Sequence, residues 1–204
     1  MTLRTLWIVS LILVSVSAFS QSEKEIYSAH CSACHQSNGE GSIALGAPNL
    51  SGLSEAYVAR QLHLFQSNLR GASAEDIQGQ MMKASVLMLS DAELKKLAYY
   101  VGNMADVSVN SEKQSTGFRG RGLYSTCSSC HGAQGEGNSA LGAPRINQQY
   151  PWYLKRQLES YRKGWRGNNS SDELGQQMRT MALSIDEADI ELLIRHISGM
   201  GLNP

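Results

Sequence analysis

Net charge is missing from this chain of 204 residues, in which 18 Lys and Arg balance 18 Asp and Glu. No basic surface therefore points to a nucleic acid. Long apolar runs are scarce too. The one present, Leu6 to Phe19, is 14 residues long and broken only by serines. That is short of the ~20 residues a spanning helix needs. Arg4 precedes it as the only charge in the first twenty residues, and Ala18, Phe19 and Ser20 supply small residues before Gln21. Residues 1–20 therefore read as a secretory signal peptide, with an uncleaved anchor as the alternative. No stretch alternates polar and apolar as a strand would, which excludes a sheet-based fold and leaves an all-α one. Cysteine is rare, with only four in the chain.

All four cysteines sit in two short runs, Cys31-Ser32-Ala33-Cys34-His35 and Cys127-Ser128-Ser129-Cys130-His131. A Cys-x-x-Cys-His run is the pattern of covalent c-type haem attachment. Two thiols about one helical turn apart can each form a thioether to a vinyl group of one porphyrin. The adjacent histidine is then placed under the ring, where its imidazole can bind iron. A four-thiolate zinc site, disulfides or a thioredoxin-like redox pair are the alternatives. None of them explains a histidine directly after both pairs.

The chain repeats itself at an offset of 96 residues. From Cys31 onward the halves align without a gap: Gly39-Glu40-Gly41 falls on Gly135-Glu136-Gly137, and Ala44 to Pro48 on Ala140 to Pro144. Arg60-Gln61-Leu62 falls on Arg156-Gln157-Leu158, and Arg70-Gly71 on Arg166-Gly167. Two copies of this length make a duplicated domain, not a solenoid. The domains are read as 21–106 and 119–204, joined by a polar linker at 107–118. Each copy is expected to run from a helix ending in the haem run, through a Gly-rich loop, to a second helix starting near Ser54 or Pro151. A short third helix leads into Met82 or Met178. A last helix starts at Ser90, with Glu93 in a capping-box position, and at Asp186 in the second copy. Residues 21–110 carry six Lys/Arg against nine Asp/Glu, and residues 111–204 eleven against nine. This dipole could orient docking to a charged partner.

The repeat also selects a second axial ligand. His35 and His131 take one position each. After each haem run, Met recurs at matching positions only as Met82/Met178 and Met104/Met200. Met104 and Met200 close the last helix, where packing is the usual role. Met82 and Met178 each lie 47 residues beyond the haem histidine and are assigned as axial thioethers, with Met81 the alternative in the first copy. Pro48 and Pro144 lie 13 residues beyond those histidines, where a loop carbonyl can accept the imidazole's other N–H; a plain turn proline is the alternative. Tyr57/Tyr153, Arg60/Arg156 and Arg70/Arg166 are candidates to bond haem carboxylates, against a solvated helix surface as the plainer reading. His30, His63 and His196 do not repeat and are read as ordinary surface or core residues.

Together these residues resemble the two-haem cytochrome c4 family, within the class I c-type cytochromes. The resemblance covers the whole mature chain. It rests on both Cys-x-x-Cys-His runs, the Gly-Glu-Gly and Ala-Pro segments, the Tyr-x-x-Arg-Gln-Leu helices, and a Met eight residues before the cap of each last helix. It implies two tandem cytochrome c domains, each a small helical fold around one covalently bound haem c. It also implies a periplasmic electron carrier, soluble or membrane-associated, and not an enzyme. Its partners would be redox proteins: a donor such as a quinol-oxidising complex and an acceptor such as a terminal oxidase or reductase. The alternatives are a subunit of a larger membrane respiratory complex, or a dihaem peroxidase. Filled axial positions weigh against the peroxidase, since Met ligation raises the potential and closes the iron to substrate. In one departure, Gly52 and Leu53 of the first copy become Gln148 and Gln149 in the second. The two haem surroundings are therefore not expected to be equal.

Overall fold

The computed structural model describes residues 21–109 and 116–201. The signal-peptide reading, the middle of the linker at 110–115 and the last residues 202–204 lie outside them. In the first half, α1 (Glu23–His30) is followed by α2 (Ser32–His35), α3 (Glu55–Gln66), α4 (Ile77–Val86) and α5 (Asp91–Gly102). The second half contains α6 (Gly117–His131), a 3-10 turn (Ser139–Leu141), α7 (Pro151–Arg162), α8 (Glu173–Leu183) and α9 (Glu187–Ser198). Among the described residues there is no strand. Two isolated bridges, Ser42 with Ala47 and Asn138 with Ala143, close matching loops. Nor is any helix there long and apolar enough to cross a membrane.

Local chemistry sets the helix starts. Ser22 caps α1 in a capping box with Glu25, Ser90 caps α5 in one with Glu93, and the Ser54 hydroxyl accepts from the Tyr57 N–H at the start of α3. Pro151 occupies the first turn of α7, where its missing N–H costs nothing. Asp76 and Asp172 cap α4 and α8 by accepting the Gly79 and Gly175 N–H groups, both at 3.0 Å. These two helices do not stop before the candidate methionines. Each runs on through Met82 or Met178, because nothing breaks the helix until Leu87 or Ser184.

Each half has its own core. In the first, Ile26 and Tyr27 of α1 meet Leu62 and Phe65 of α3 and the Leu94, Leu97, Ala98 and Val101 stripe of α5. In the second, Tyr124 of α6 meets Leu158 and Tyr161 of α7 and Ile190, Leu193, Ile194 and Ile197 of α9. Cys31 and Met82 pack against the first core, and Cys127 and Met178 against the second. Both haem runs are thereby tied to apolar surface.

The halves differ at the run itself. The first breaks at Cys31, whose φ of −122° interrupts the helix, whereas α6 continues straight through Cys127. One residue of register is lost there. Tyr27 donates to the Gln36 carbonyl at 2.7 Å and Tyr124 to the Gly132 carbonyl at 2.6 Å. These carbonyls are equivalent, but the tyrosines are offset by 97 residues, so a fixed offset of 96 hides the match. Gln36 also carries φ 64° and ψ 170°, a region that only glycine occupies without strain. The second half uses glycine there, at Gly132. Gln36→Gly is expected to stabilise the haem-bound protein by about 1 kcal/mol, the relieved strain exceeding the added chain entropy. Denaturant unfolding measures it.

Candidate haem sites

Each loop after a haem run doubles back to serve its histidine. His35 Nδ1 lies 3.0 Å from the Pro48 carbonyl oxygen, and His131 Nδ1 lies 2.8 Å from that of Pro144. A carbonyl only accepts, so in both rings Nδ1 carries the proton and the Nε2 lone pair is free for a metal. Burial lowers the pKa of both imidazoles, with the carbonyl bond opposing it. Glycine makes the approach possible. Gly41 has φ 81°, and a Cβ there would sit 2.6 Å from the Pro48 oxygen. Gly137 has φ 84°, and its Cβ would sit 2.5 Å from the Arg145 nitrogen. The glycine that ends each Gly-Glu-Gly segment is therefore dictated by the histidine's hydrogen bond.

A cavity of about 380 Å³ opens in the first half. Cys31, Cys34, His35, Pro48, Tyr57 and both Met81 and Met82 line it, with apolar side chains such as Leu62, Phe65 and Leu97 behind them. Met82 is half-buried against the core, while Met81 is 56% exposed. Cys31 is half-buried, and burial followed by the nearby Cys34 pushes its thiol up to about 12. Such a thiol is not a ready thiolate at neutral pH, which disfavours a thioredoxin-like redox pair. Among the described residues no three His, Cys, Asp or Glu side chains converge as a metal cluster would, which leaves the zinc reading without its site.

The second half closes this cavity. Tyr153, Arg156 and Gln157 of α7 line it from across the domain boundary. At the seam, Arg70 and Arg166 are only 8% and 5% exposed. The Gln61 Oε1 accepts from Arg70 at 2.8 Å and from Arg166 at 2.9 Å. Its repeat partner, the Gln157 Oε1, accepts from Arg166 at 2.5 Å and from Arg70 at 3.0 Å. Arg70 also donates to the Tyr153 hydroxyl at 3.2 Å, and Arg166 bonds Tyr57. Burial alone would raise the Tyr57 phenol, but Arg166, Arg70 and Arg60 outweigh it and hold it below its ordinary value. Arg60 crosses the seam to the Gly142 carbonyl at 3.0 Å. Arg70 and Arg166 are not solvated on a helix surface, because the facing domain covers each of them.

The donor set fits a porphyrin with carboxylate arms. Two guanidinium charges, those of Arg70 and Arg166, are buried with only neutral acceptors. Among the described residues no carboxylate lies within ion-pair distance of Arg60, Arg70, Arg156 or Arg166, although Asp76 attracts Arg156 from farther off. Two buried N–H groups, Arg60 Nε and Trp152 Nε1, lack an acceptor there. Buried charge without a counter-charge is costly, so the site calls for anionic oxygen. The thiols, the free Nε2 and an apolar cavity supply the remaining requirements. The haem c groups would be held by Cys31, Cys34 and His35 in one half and by Cys127, Cys130 and His131 in the other.

Comparison with known proteins agrees. The model of the cytochrome c family, "Cytochrome c", matches twice, over residues 23–105 and 118–201. Cytochrome c4 of Azotobacter vinelandii is 27% identical over 180 residues, covering 83% of this chain and 84% of that protein. A thiosulfate dehydrogenase electron acceptor of Stutzerimonas stutzeri is 26% identical over 212 residues, 95% of this chain and 93% of that one. The crystal structure of reduced recombinant cytochrome c4 from Pseudomonas stutzeri superposes with a TM-score of 0.71 at 25% identity, covering 87% of this chain and 96% of that one. Two covalently bound haem c groups and a role in electron transfer follow. The chain belongs to the cytochrome c family, as a tandem, two-haem member of its c4 group.

Proposed function

We propose that this protein is an exported, periplasmic carrier that passes single electrons by outer-sphere transfer between redox proteins. The supporting observation is the duplicated ligand set: in each half a histidine with Nε2 free and a methionine packed against that half's core, with His35 and Met82 lining one cavity in the first half. When bound, the haem iron supplies a reversible one-electron couple. His35 with Met82, and His131 with Met178, would hold the two irons and leave no open position for a substrate. Pro48 and Pro144 orient the imidazoles. Tyr57, Tyr153, Arg60 and Arg156, with Arg70 and Arg166, would receive the carboxylate arms and keep water from the seam.

The two domain faces differ in polarity. Leu45 and Met81 line the first cavity, and Ile77 lies one helical turn from Met81 on α4, 64% exposed. The second half has Leu141, Gln177 and Glu173 at the equivalent positions. Partners meeting the two faces are therefore of different chemistry, as a separate donor and acceptor would be. A quinol-oxidising complex and a terminal oxidase or reductase suit these roles. A sulfur-compound dehydrogenase is a second donor class, favoured by the alignment of the thiosulfate dehydrogenase electron acceptor over 95% of the chain.

Optical spectra with a redox titration test the carrier reading. The expected result is a weak far-red thioether-to-ferric-iron band of two-haem intensity and two positive potentials. A high-spin fraction with brisk peroxide turnover would replace the carrier by a peroxidase.

A further inference from the structure

The peptide unit that holds His35 is itself held by the other domain. The carbonyl of Pro48 and the N–H of Asn49 belong to one peptide group. The oxygen accepts from His35 Nδ1 at 3.0 Å, and the N–H donates to the Gln149 Oε1 at 3.0 Å. The Gln149 Nε2 returns a bond to the Asn49 carbonyl at 2.8 Å, so the amide grips Asn49 on both sides. Asn49 is 2% exposed, and its side chain is fixed as well, donating to the Gln148 carbonyl at 3.0 Å and the Val107 carbonyl at 3.2 Å. Water has little access to this chain of bonds.

We propose that Gln149 is a positioning residue for the domain-1 haem, tuning its potential from domain 2. Hydrogen bonds in series polarise one another. An acceptor on the Asn49 N–H makes the Pro48 oxygen more negative. A more negative oxygen pulls harder on the His35 Nδ1–H and makes Nε2 a stronger donor to the metal. Stronger donation favours the ferric state and lowers the potential. The device works in one direction only. The repeat places Leu53 opposite Gln149, and a leucine cannot accept a hydrogen bond. The residue equivalent to Asn49 is Arg145, which turns instead to Asn147 at 2.5 Å and Asp106 at 2.6 Å. The domain-2 histidine thus lacks the added pull.

The inference rests on His35 being an axial ligand, and its test separates the two. Gln149→Met keeps the length of the side chain and replaces its amide oxygen with a thioether sulfur, a far weaker acceptor. Redox titration of the holoprotein, with each haem assigned by NMR, is expected to raise the domain-1 potential and leave that of domain 2 unchanged. The expected shift is roughly a threefold to tenfold change in the redox equilibrium, about 28 to 59 mV at 59 mV per tenfold. The His35 Nδ1–H resonance should move upfield while that of His131 stays. Gln149→Glu keeps an oxygen facing the Asn49 N–H and is expected not to raise the potential; it also serves if the Met variant fails to fold. Equal shifts at both haems, or none at either, would overturn the relay. A wild-type spectrum without histidine ligation in domain 1 would instead sink the ligand assignment.

Discussion

Met82→Ala lowers the domain-1 haem potential by on the order of hundreds of mV, removes half of the far-red thioether band, and leaves the domain-2 haem as it was. The size follows from the chemistry: axial-ligand identity spans about 0.8 V in haem proteins, and a thioether favours the reduced state. Position decides which methionine matters. Met81 and Met82 both line the cavity, but they are neighbours on α4 and so point about 100° apart. Met82 turns toward the core with Val86 one turn on, while Met81 is 56% exposed and its hydrophobic neighbour Ile77 is 64% exposed. Met81→Ala is therefore expected to change the potential little and keep the band. The same pair of results is expected of Met178→Ala against Met181→Ala in the second half. If Met81→Ala removed the band instead, the repeat would have selected the wrong residue.

The repeat made much of this site readable in advance. Attachment runs, histidines, prolines and helix caps all rest on neighbours close in sequence, where residue type and spacing carry the physics. Ser90 with Glu93 is a capping box because three residues separate them, and it forms. Pro48 and Pro144 stand where a proline carbonyl reaches a ring nitrogen. What stayed hidden depends on contacts between the halves. Gln148 and Gln149 stood out only as a departure from the repeat. Their role depends on Asn49, about 100 residues away, and no local pattern announces that. In the sequence Arg70 and Arg166 are candidates for haem carboxylates, with a solvated surface as the plainer alternative. Their burial comes from the seam between the halves, where Gln61 and Gln157 each accept from both arginines. The one-residue slip between Tyr27 and Tyr124 was masked for another reason: a kink at Cys31 changes the register without inserting a residue.

Gln61→Leu destabilises the holoprotein by about 3 kcal/mol and loosens both halves at once. The glutamine is uncharged, so its value lies in geometry. One oxygen with two lone pairs accepts one bond from Arg70 and one from Arg166. Removing it strands two charge-assisted donors in a place water reaches poorly, at about 1.5–3 kcal/mol each before relaxation. Gln157 does the same in mirror image, so Gln157→Leu should cost a similar amount. The double variant is the discriminating case. Once one glutamine is lost, the arginines are freed to seek solvent and the seam begins to open, leaving less for the second loss to undo. The combined cost should fall short of the sum by about 1 kcal/mol or more, the coupling expected of residues sharing partners. Unfolding followed separately at the two haems should also change from one shared transition to two. Strict additivity with a single transition would mean that the guanidinium groups are held by the haem carboxylates alone, and that the glutamines only fill space.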